Sequence, residues 1–335
     1  MQKSPRKIAV IGDGAMGTVC ALILADNGYD VGIWGAFPDN LADMARHRQN
    51  RKYLPGFDLP DQLRISVDPT EIISAADLVI SAVPCQYMRS VWTKLAALLP
   101  ADAPIISVTK GIANDTLERP SEILAAVTGS DRGIAALSGP TIAVELAKHL
   151  PATAVVASTD AQLARLGQRI FTTEFFRLYT NSDLLGVELA AASKNVIALA
   201  AGIIDGLGLG DNAKAALVTR GLVEITRLGV ALGARPDTFA GLAGLGDLVT
   251  TCISPLGRNR TVGEQIGRGR KLTDILAGMA AVAEGVATTR SLSSLAKRHR
   301  VDMPITAKVY SVLFEDQSPS QAISQLMARA PKSER

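Results

Sequence analysis

Lys7-Ile-Ala-Val-Ile-Gly-Asp-Gly-Ala-Met-Gly17 is the stretch that decides the fold class. The apolar run Ile8 to Ile11 reads as a buried strand, and Gly12, Gly14 and Gly17 follow at G-x-G-x-x-G spacing. Thr18 to Asn27 has helical periodicity, so the glycines occupy a strand-to-helix turn. In such a turn Gly12 allows the tight reversal, Gly14 lets the backbone approach a pyrophosphate, and Gly17 lets helix and strand pack closely. The helix start adds unpaired N–H groups and partial positive charge that favour phosphate. The spacing alone is a weak signal, because plain βα turns share it. Its place at the head of a long α/β chain favours nucleotide binding.

Working outward, strand-like and helix-like segments alternate. Asp30 to Trp34 reads as a second strand, followed by Leu63 to Val67, Asp77 to Ala82, Ile105 to Val108, Ile134 to Leu137 and Thr153 to Ala157. Helical patterns such as Tyr87 to Leu99, Ser121 to Thr128 and Ala161 to Phe171 lie between them. Such alternation predicts an α/β fold, a Rossmann-type doubly wound, mostly parallel sheet with helices on both faces. Its ligands are expected outside the carboxyl ends of the strands. Beyond Asn181 to Asp183 strand signals fade and helical patterns dominate, from Leu184 to Ile204 through Ser320 to Ala328. The expected division is residues 1–182 as a dinucleotide-binding domain and 183–330 as a C-terminal all-α, substrate-binding domain.

At 335 residues the chain can hold two sizeable cores. Net charge is +3, with no basic run interleaved with aromatics, which argues against nucleic acid. Cys20, Cys85 and Cys252 lie far apart, and His47, His149 and His299 have no ligand-like spacing. Neither a disulfide framework nor a metal site is expected, which fits a reducing cytoplasm. The basic start, Met1 to Lys7, is followed by apolar residues, but Gly12 to Gly14 interrupt the run and no cleavage site follows, so no secretory signal is expected. The longest uncharged apolar stretch, Val196 to Ile204, is too short to cross a bilayer, and a soluble protein without membrane insertion is expected.

Several residues carry chemistry. Lys194 has Ala190, Ala191, Ile197 and Ala198 as helical neighbours. A lysine in that stripe either snorkels to solvent or points into a cavity, where burial and a second cation would lower its pKa toward a range useful for proton transfer. Lys110, in Thr109-Lys-Gly111, is a solvated loop lysine or a ligand group at a strand end. The loop-like Ser254-Pro-Leu-Gly-Arg-Asn-Arg260 offers forks suited to phosphate, or plain surface charge. Asp247, in Gly241-Leu-Ala-Gly-Leu-Gly-Asp247, aims inward or caps the following helix. A Ser-His-Asp hydrolase is disfavoured, since no histidine accompanies a G-x-S-x-G turn.

At these residues the chain resembles the bacterial NAD(P)-dependent glycerol-3-phosphate dehydrogenase family. The resemblance runs from about Lys7 to Arg329. Its motifs include Gly12-Asp-Gly-Ala-Met-Gly-Thr18, Tyr53-Leu-Pro-Gly56, Thr109-Lys-Gly111, Ser138-Gly-Pro-Thr141 and Ser193-Lys-Asn195. They continue through Asn212-Ala-Lys214, Thr219-Arg-Gly221, Gly241 to Leu248, Gly257-Arg-Asn-Arg260, Glu284-Gly285 and Met303-Pro-Ile305. The resemblance implies a helical domain like that of the 6-phosphogluconate dehydrogenase group. It also implies interconversion of dihydroxyacetone phosphate and sn-glycerol 3-phosphate, supplying phospholipid synthesis, by a cytoplasmic homodimer. It places Lys194 as general acid/base, with Lys110, Gly139, Thr141, Lys194, Asp247, Gly257, Arg258 and Asn259 on the substrate. Gly12, Gly14, Ala15, Met16, Gly17, Lys110, Ala143, Arg258, Val282 and Glu284 fall on the cofactor.

Three departures from the family pattern stand out. Met16 replaces a usual aromatic, and a thioether can still pack on the cofactor. Gly257 replaces Ser or Thr, so any contact there must come from backbone. Ala36 stands where Arg or His is common, and Asp39 comes late for a ribose 2′-hydroxyl contact. Arg46, Arg48 and Arg51 could supply charge instead. The residues leave NADPH and NADH open, and the resemblance tilts the choice toward NADPH. A 3-hydroxy-acid dehydrogenase of the same fold and a non-catalytic nucleotide sensor are the alternatives.

Overall fold

The computed structural model describes residues 5–279, 282–331 and 333. The chain opens with β1 (Lys7–Ile11), α1 (Ala15–Asp26), β2 (Asp30–Trp34) and α2 (Pro38–His47). A small hairpin follows, β3 (Gln49–Asn50) and β4 (Leu54–Asp58), then β5 (Arg64–Ile65), α3 (Pro69–Ile73), β6 (Leu78–Ser81) and α4 (Cys85–Leu95). Next come β7 (Ile105–Ser107), α5 (Pro120–Thr128), β8 (Ile134–Ser138), α6 (Ala143–Ala147), β9 (Ala152–Ala157), α7 (Ala161–Phe171) and β10 (Phe176–Asn181).

Eight strands form one sheet in the order β10-β9-β8-β7-β6-β1-β2-β5. Neighbours run parallel except β8 and β9. The central strands are apolar because helices cover both faces, and Val10, Ile33, Ile80 and Ile106 are fully buried. Helix starts carry local signals. Asp68 and Asp160 accept from Thr70 N and Gln162 N at 2.8 and 2.7 Å, and proline opens α2, α3 and α5.

The second half is helical: α8 (Leu184–Gly206), α9 (Gly210–Ala231), α10 (Pro236–Ala240), a π turn over Leu242–Gly246, and α11 (Asp247–Ile253). It ends with α12 (Arg258–Gly267), α13 (Leu272–Ala277), α14 (Glu284–His299), α15 (Pro304–Phe314) and α16 (Pro319–Met327). Helix α8 is long and apolar enough to cross a membrane by length and composition, yet it lies wholly buried as the hub of this half. Being covered on all sides, it shows little amphipathic pattern. It crosses α12 at backbone contact. A Cβ on Gly202 would lie 1.9 Å from the Arg260 carbonyl oxygen, and one on Gly263 2.0 Å from that of Leu199. Glu188 fastens α8 to the sheet half, accepting from Ser121 N at 2.8 Å and pairing with Arg119. Burial pushes its carboxyl above the usual range against the pull of Arg119.

Three local readings change. The expected strand Leu63 to Val67 contracts to Arg64–Ile65, at the sheet edge beside β2. Strand β10 goes unread in sequence because it is an edge strand with exposed Arg177 and Tyr179. Helix α2 buries only Asn40, Leu41 and Met44, too narrow a stripe to stand out amid its polar residues.

Candidate active site

The glycine turn is built as its spacing predicts. Gly12 has φ +122°, and a Cβ there would lie 2.6 Å from the Ala82 carbonyl oxygen. A Cβ on Gly17 would lie 1.9 Å from the carbonyl oxygen of Gly12. A Cβ on Gly14 would meet nothing within 4 Å, so the turn's outer side is open where a pyrophosphate would approach. Ala15 and Met16 form the first turn of α1, both partly buried, and Ala143 opens α6 beside that helix. The turn has a buttress that sequence reasoning missed. Asn50 Nδ2 donates to the Asp13 carbonyl at 2.7 Å and to Thr18 Oγ1 at 2.8 Å.

Across the strand ends two lysines converge on one carboxylate. Lys194, midway along α8, donates to Asp247 Oδ1 at 2.6 Å and to Thr251 Oγ1. Lys110, just past β7, donates to Asp247 Oδ2 at 2.7 Å, the Gly139 carbonyl at 2.9 Å and Thr141 Oγ1 at 3.2 Å. The Lys194 and Asp247 side chains are 7% and 3% exposed, against 18% for Lys110. Burial lowers the Lys194 pKa to about 8; the Lys110 charge helps, and Asp247 opposes. Of the two readings of Asp247, the inward one holds. It begins α11, but its carboxylate faces the lysines and makes no capping bond. Thr251 was missed; it lies one helical turn after Asp247, a spacing that would have placed both on one face.

The expected loop at Arg258 to Arg260 is in fact the first turn of α12. Arg258 Nη1 donates to the Val282 carbonyl at 2.8 Å. Asn259 Oδ1 accepts from Gly285 N at 3.0 Å, tying α12 to the start of α14. Arg260 turns away to Asp205, which also pairs with Lys214. Gly257 precedes that turn; its N–H donates to Ser254 O at 3.2 Å and its carbonyl accepts from Thr261 N at 2.9 Å. Glu284 opens α14, partly buried. Its Oε1 accepts from Cys85 N at 3.1 Å, while Oε2 has no hydrogen-bond partner among the described residues. Burial pushes its pKa up to about 7.

The charge expected from three arginines near Ala36 is mostly tied down. Arg48 donates to the carbonyls of Leu59, Pro60 and Leu63, and Arg51 pairs with Asp43. Arg46 is exposed on α2. Among the described residues no metal-ligand cluster exists, and the three cysteines are free and buried.

A dinucleotide fits two independent features, the open side of Gly14 and the unpartnered Glu284 oxygen, which calls for a donor such as a carboxamide. With the lysine pair at the strand ends, they define the class: nicotinamide-dinucleotide-dependent oxidoreductases acting on a CH–OH group. Comparison with known proteins narrows the class. The family model described as NAD-dependent glycerol-3-phosphate dehydrogenase N-terminus matches residues 7–164, and the corresponding C-terminus model matches 183–324. The chain belongs to the NAD-dependent glycerol-3-phosphate dehydrogenase family. A glycerol-3-phosphate dehydrogenase of Geobacter metallireducens, named as NAD(P)+-dependent, is 49% identical over 331 residues, covering 98% of this chain and 99% of that one. That of Citrifermentans bemidjiense is 48% identical, covering 98% of each. The solved structure of glycerol-3-phosphate dehydrogenase from Coxiella burnetii superposes with a TM-score of 0.94 at 36% identity, covering 98% of this chain and all of that one.

Proposed function

We propose that the chain is an NAD(P)-dependent sn-glycerol-3-phosphate dehydrogenase that interconverts dihydroxyacetone phosphate and sn-glycerol 3-phosphate. The observation that carries the mechanism is the buried Lys194–Asp247–Lys110 bridge outside the strand ends. The bound nicotinamide supplies or accepts the hydride at the substrate carbon. Lys194 donates the proton to the carbonyl oxygen during reduction and removes it during oxidation. A pKa of about 8 keeps both forms populated near neutrality. Asp247 aims Lys194 and offsets part of the cost of burying it. Lys110 holds substrate oxygen and borders the cofactor, with Gly139 and Thr141 completing that wall. Arg258 and Asn259 hold the phosphate, since a guanidinium fork and an amide suit its oxygens. Gly12, Gly14, Ala15, Met16, Gly17, Ala143, Val282 and Glu284 would hold the cofactor.

Residues 1–182 then serve the cofactor and 183–330 the substrate. Residues 7–164 and 183–324, matched by separate family models, support that division. Homodimerisation, a cytoplasmic location and supply of glycerol 3-phosphate to phospholipid synthesis follow from the family. The test follows NADH and NADPH oxidation by absorbance, with dihydroxyacetone phosphate and with unphosphorylated dihydroxyacetone. Turnover confined to the phosphorylated ketone is expected. Equal use of both ketones would favour a hydroxy-acid-type dehydrogenase, and cofactor binding without turnover would favour a sensor.

A further inference from the structure

The glycine turn carries a carboxylate that the reaction leaves unused. Asp13, between Gly12 and Gly14, is only 5% exposed. Its Oδ2 accepts from Nδ2 of the buried Asn40, on α2, at 2.7 Å. With Asn50 holding its carbonyl, both backbone and side chain of Asp13 are fixed. The carboxylate presses on Gly35, the residue just past β2. A Cβ on Gly35 would lie 2.2 Å from Asp13 Oδ1 and 2.3 Å from its Cγ. Asp13 therefore fills the side-chain space of position 35.

In dinucleotide folds the neighbourhood of the second strand's end, which this space adjoins, has a role. An acidic residue at the end of the second strand accepts from the adenosine ribose 2′-hydroxyl, and a cation there accommodates a 2′-phosphate. Here β2 ends at Trp34 and is followed by Gly35, Ala36 and Phe37, none of them charged. We infer that Asp13 supplies, from the glycine turn, the carboxylate that β2 lacks, and so selects NAD(H) over NADP(H). The inference rests on the dinucleotide reading of the cradle, and it opposes the tilt toward NADPH that the family resemblance gives. A 2′-phosphate would bring like charge against a fixed, buried carboxylate, where repulsion is strongest. The compensating cations are poorly placed. Arg48 and Arg51 are engaged, and Arg46 and Lys52 are exposed, the Lys52 Nζ 5.3 Å from the Phe37 ring centre and 5.0 Å from that of Tyr53, where solvent and salt screen them.

Calorimetric titration of the whole protein with ADP-ribose and with 2′-phospho-ADP-ribose tests this without turnover. The wild type should bind ADP-ribose at least about tenfold tighter. Asp13→Asn, which keeps the size of the side chain, should bring the two affinities together, chiefly by strengthening binding of the phosphorylated fragment. Asp13→Ala is the second variant should the first fail to fold. The wild-type preference needs no variant at all. Equal or tighter wild-type binding of the phosphorylated fragment, or an unmoved ratio in a folded variant, overturns the inference. Binding of neither fragment would instead overturn the dinucleotide reading, and this inference with it.

Discussion

Replacing Asp247 by Asn should move the proton-transfer pKa of Lys194 downward by a calculable amount. Asp247 Oδ1 lies 2.6 Å from Lys194 Nζ, both groups being buried, and its charge opposes the burial and the Lys110 charge that lower the pKa to about 8. A unit charge pair at about 4 Å with an effective dielectric near 20 interacts by about 4 kcal/mol. That corresponds to about 3 pKa units, at about 1.4 kcal/mol per unit. Asp247 shares its charge with Lys110, and water entering the variant would screen the site further, so a fall of about 2 units, to about 6, is the working value. At pH 7 the protonated fraction of Lys194 would drop from about nine-tenths to about one-tenth. The assay is the pH dependence of kcat/KM for glycerol 3-phosphate oxidation, which reports the free enzyme and in which Lys194 must be neutral. Its acid limb should move from about pH 8 to about pH 6, although lost positioning lowers the plateau. Lys110→Met removes the neighbouring cation and should move the same limb upward. Opposite shifts separate electrostatics from general damage. An acid limb that stays near pH 8 in both variants, each shown to be folded by circular dichroism, would refute the reasoning.

Lys194→Ala should reduce kcat by about two to four orders of magnitude while leaving NADH affinity, read by fluorescence titration, nearly intact; substantial remaining turnover would remove it as the proton donor. Arg258→Ala should raise KM for dihydroxyacetone phosphate about tenfold or more. An unchanged KM would take Arg258 out of the phosphate site. Gly17→Ala places a Cβ 1.9 Å from the Gly12 carbonyl oxygen, against backbone that must itself shift. Thermal denaturation should show a loss of about 1–3 kcal/mol, with cofactor affinity falling as the turn distorts. Wild-type values on both measures would mean that the turn is less tightly built than its geometry indicates.

Much of this molecule was legible in the chain. The apolar run, the glycine spacing and the alternation that follows specify a doubly wound sheet, because each feature depends on local period and local sterics. Lys194 could be singled out because a cation among alanines and isoleucine breaks the pattern of its own helix. What stayed hidden lies at the edges and in long-range partnerships. Strand β10 buries one face only, and α2 shows a narrow apolar stripe, so neither pattern rises above its polar residues.

The sequence by itself determined the class of fold and the glycine turn, and it singled out the two lysines as candidates, since these follow from residue type and spacing over a few turns of chain. Only the tertiary structure decided that Asp247 joins Lys110 to Lys194 across separations of 137 and 53 residues. It alone placed Arg258 on a helix with Arg260 turned away, and set Asp13 in the space beside Gly35. Charge, burial and close approach between distant segments exist only after packing, and they set a pKa or a cofactor preference.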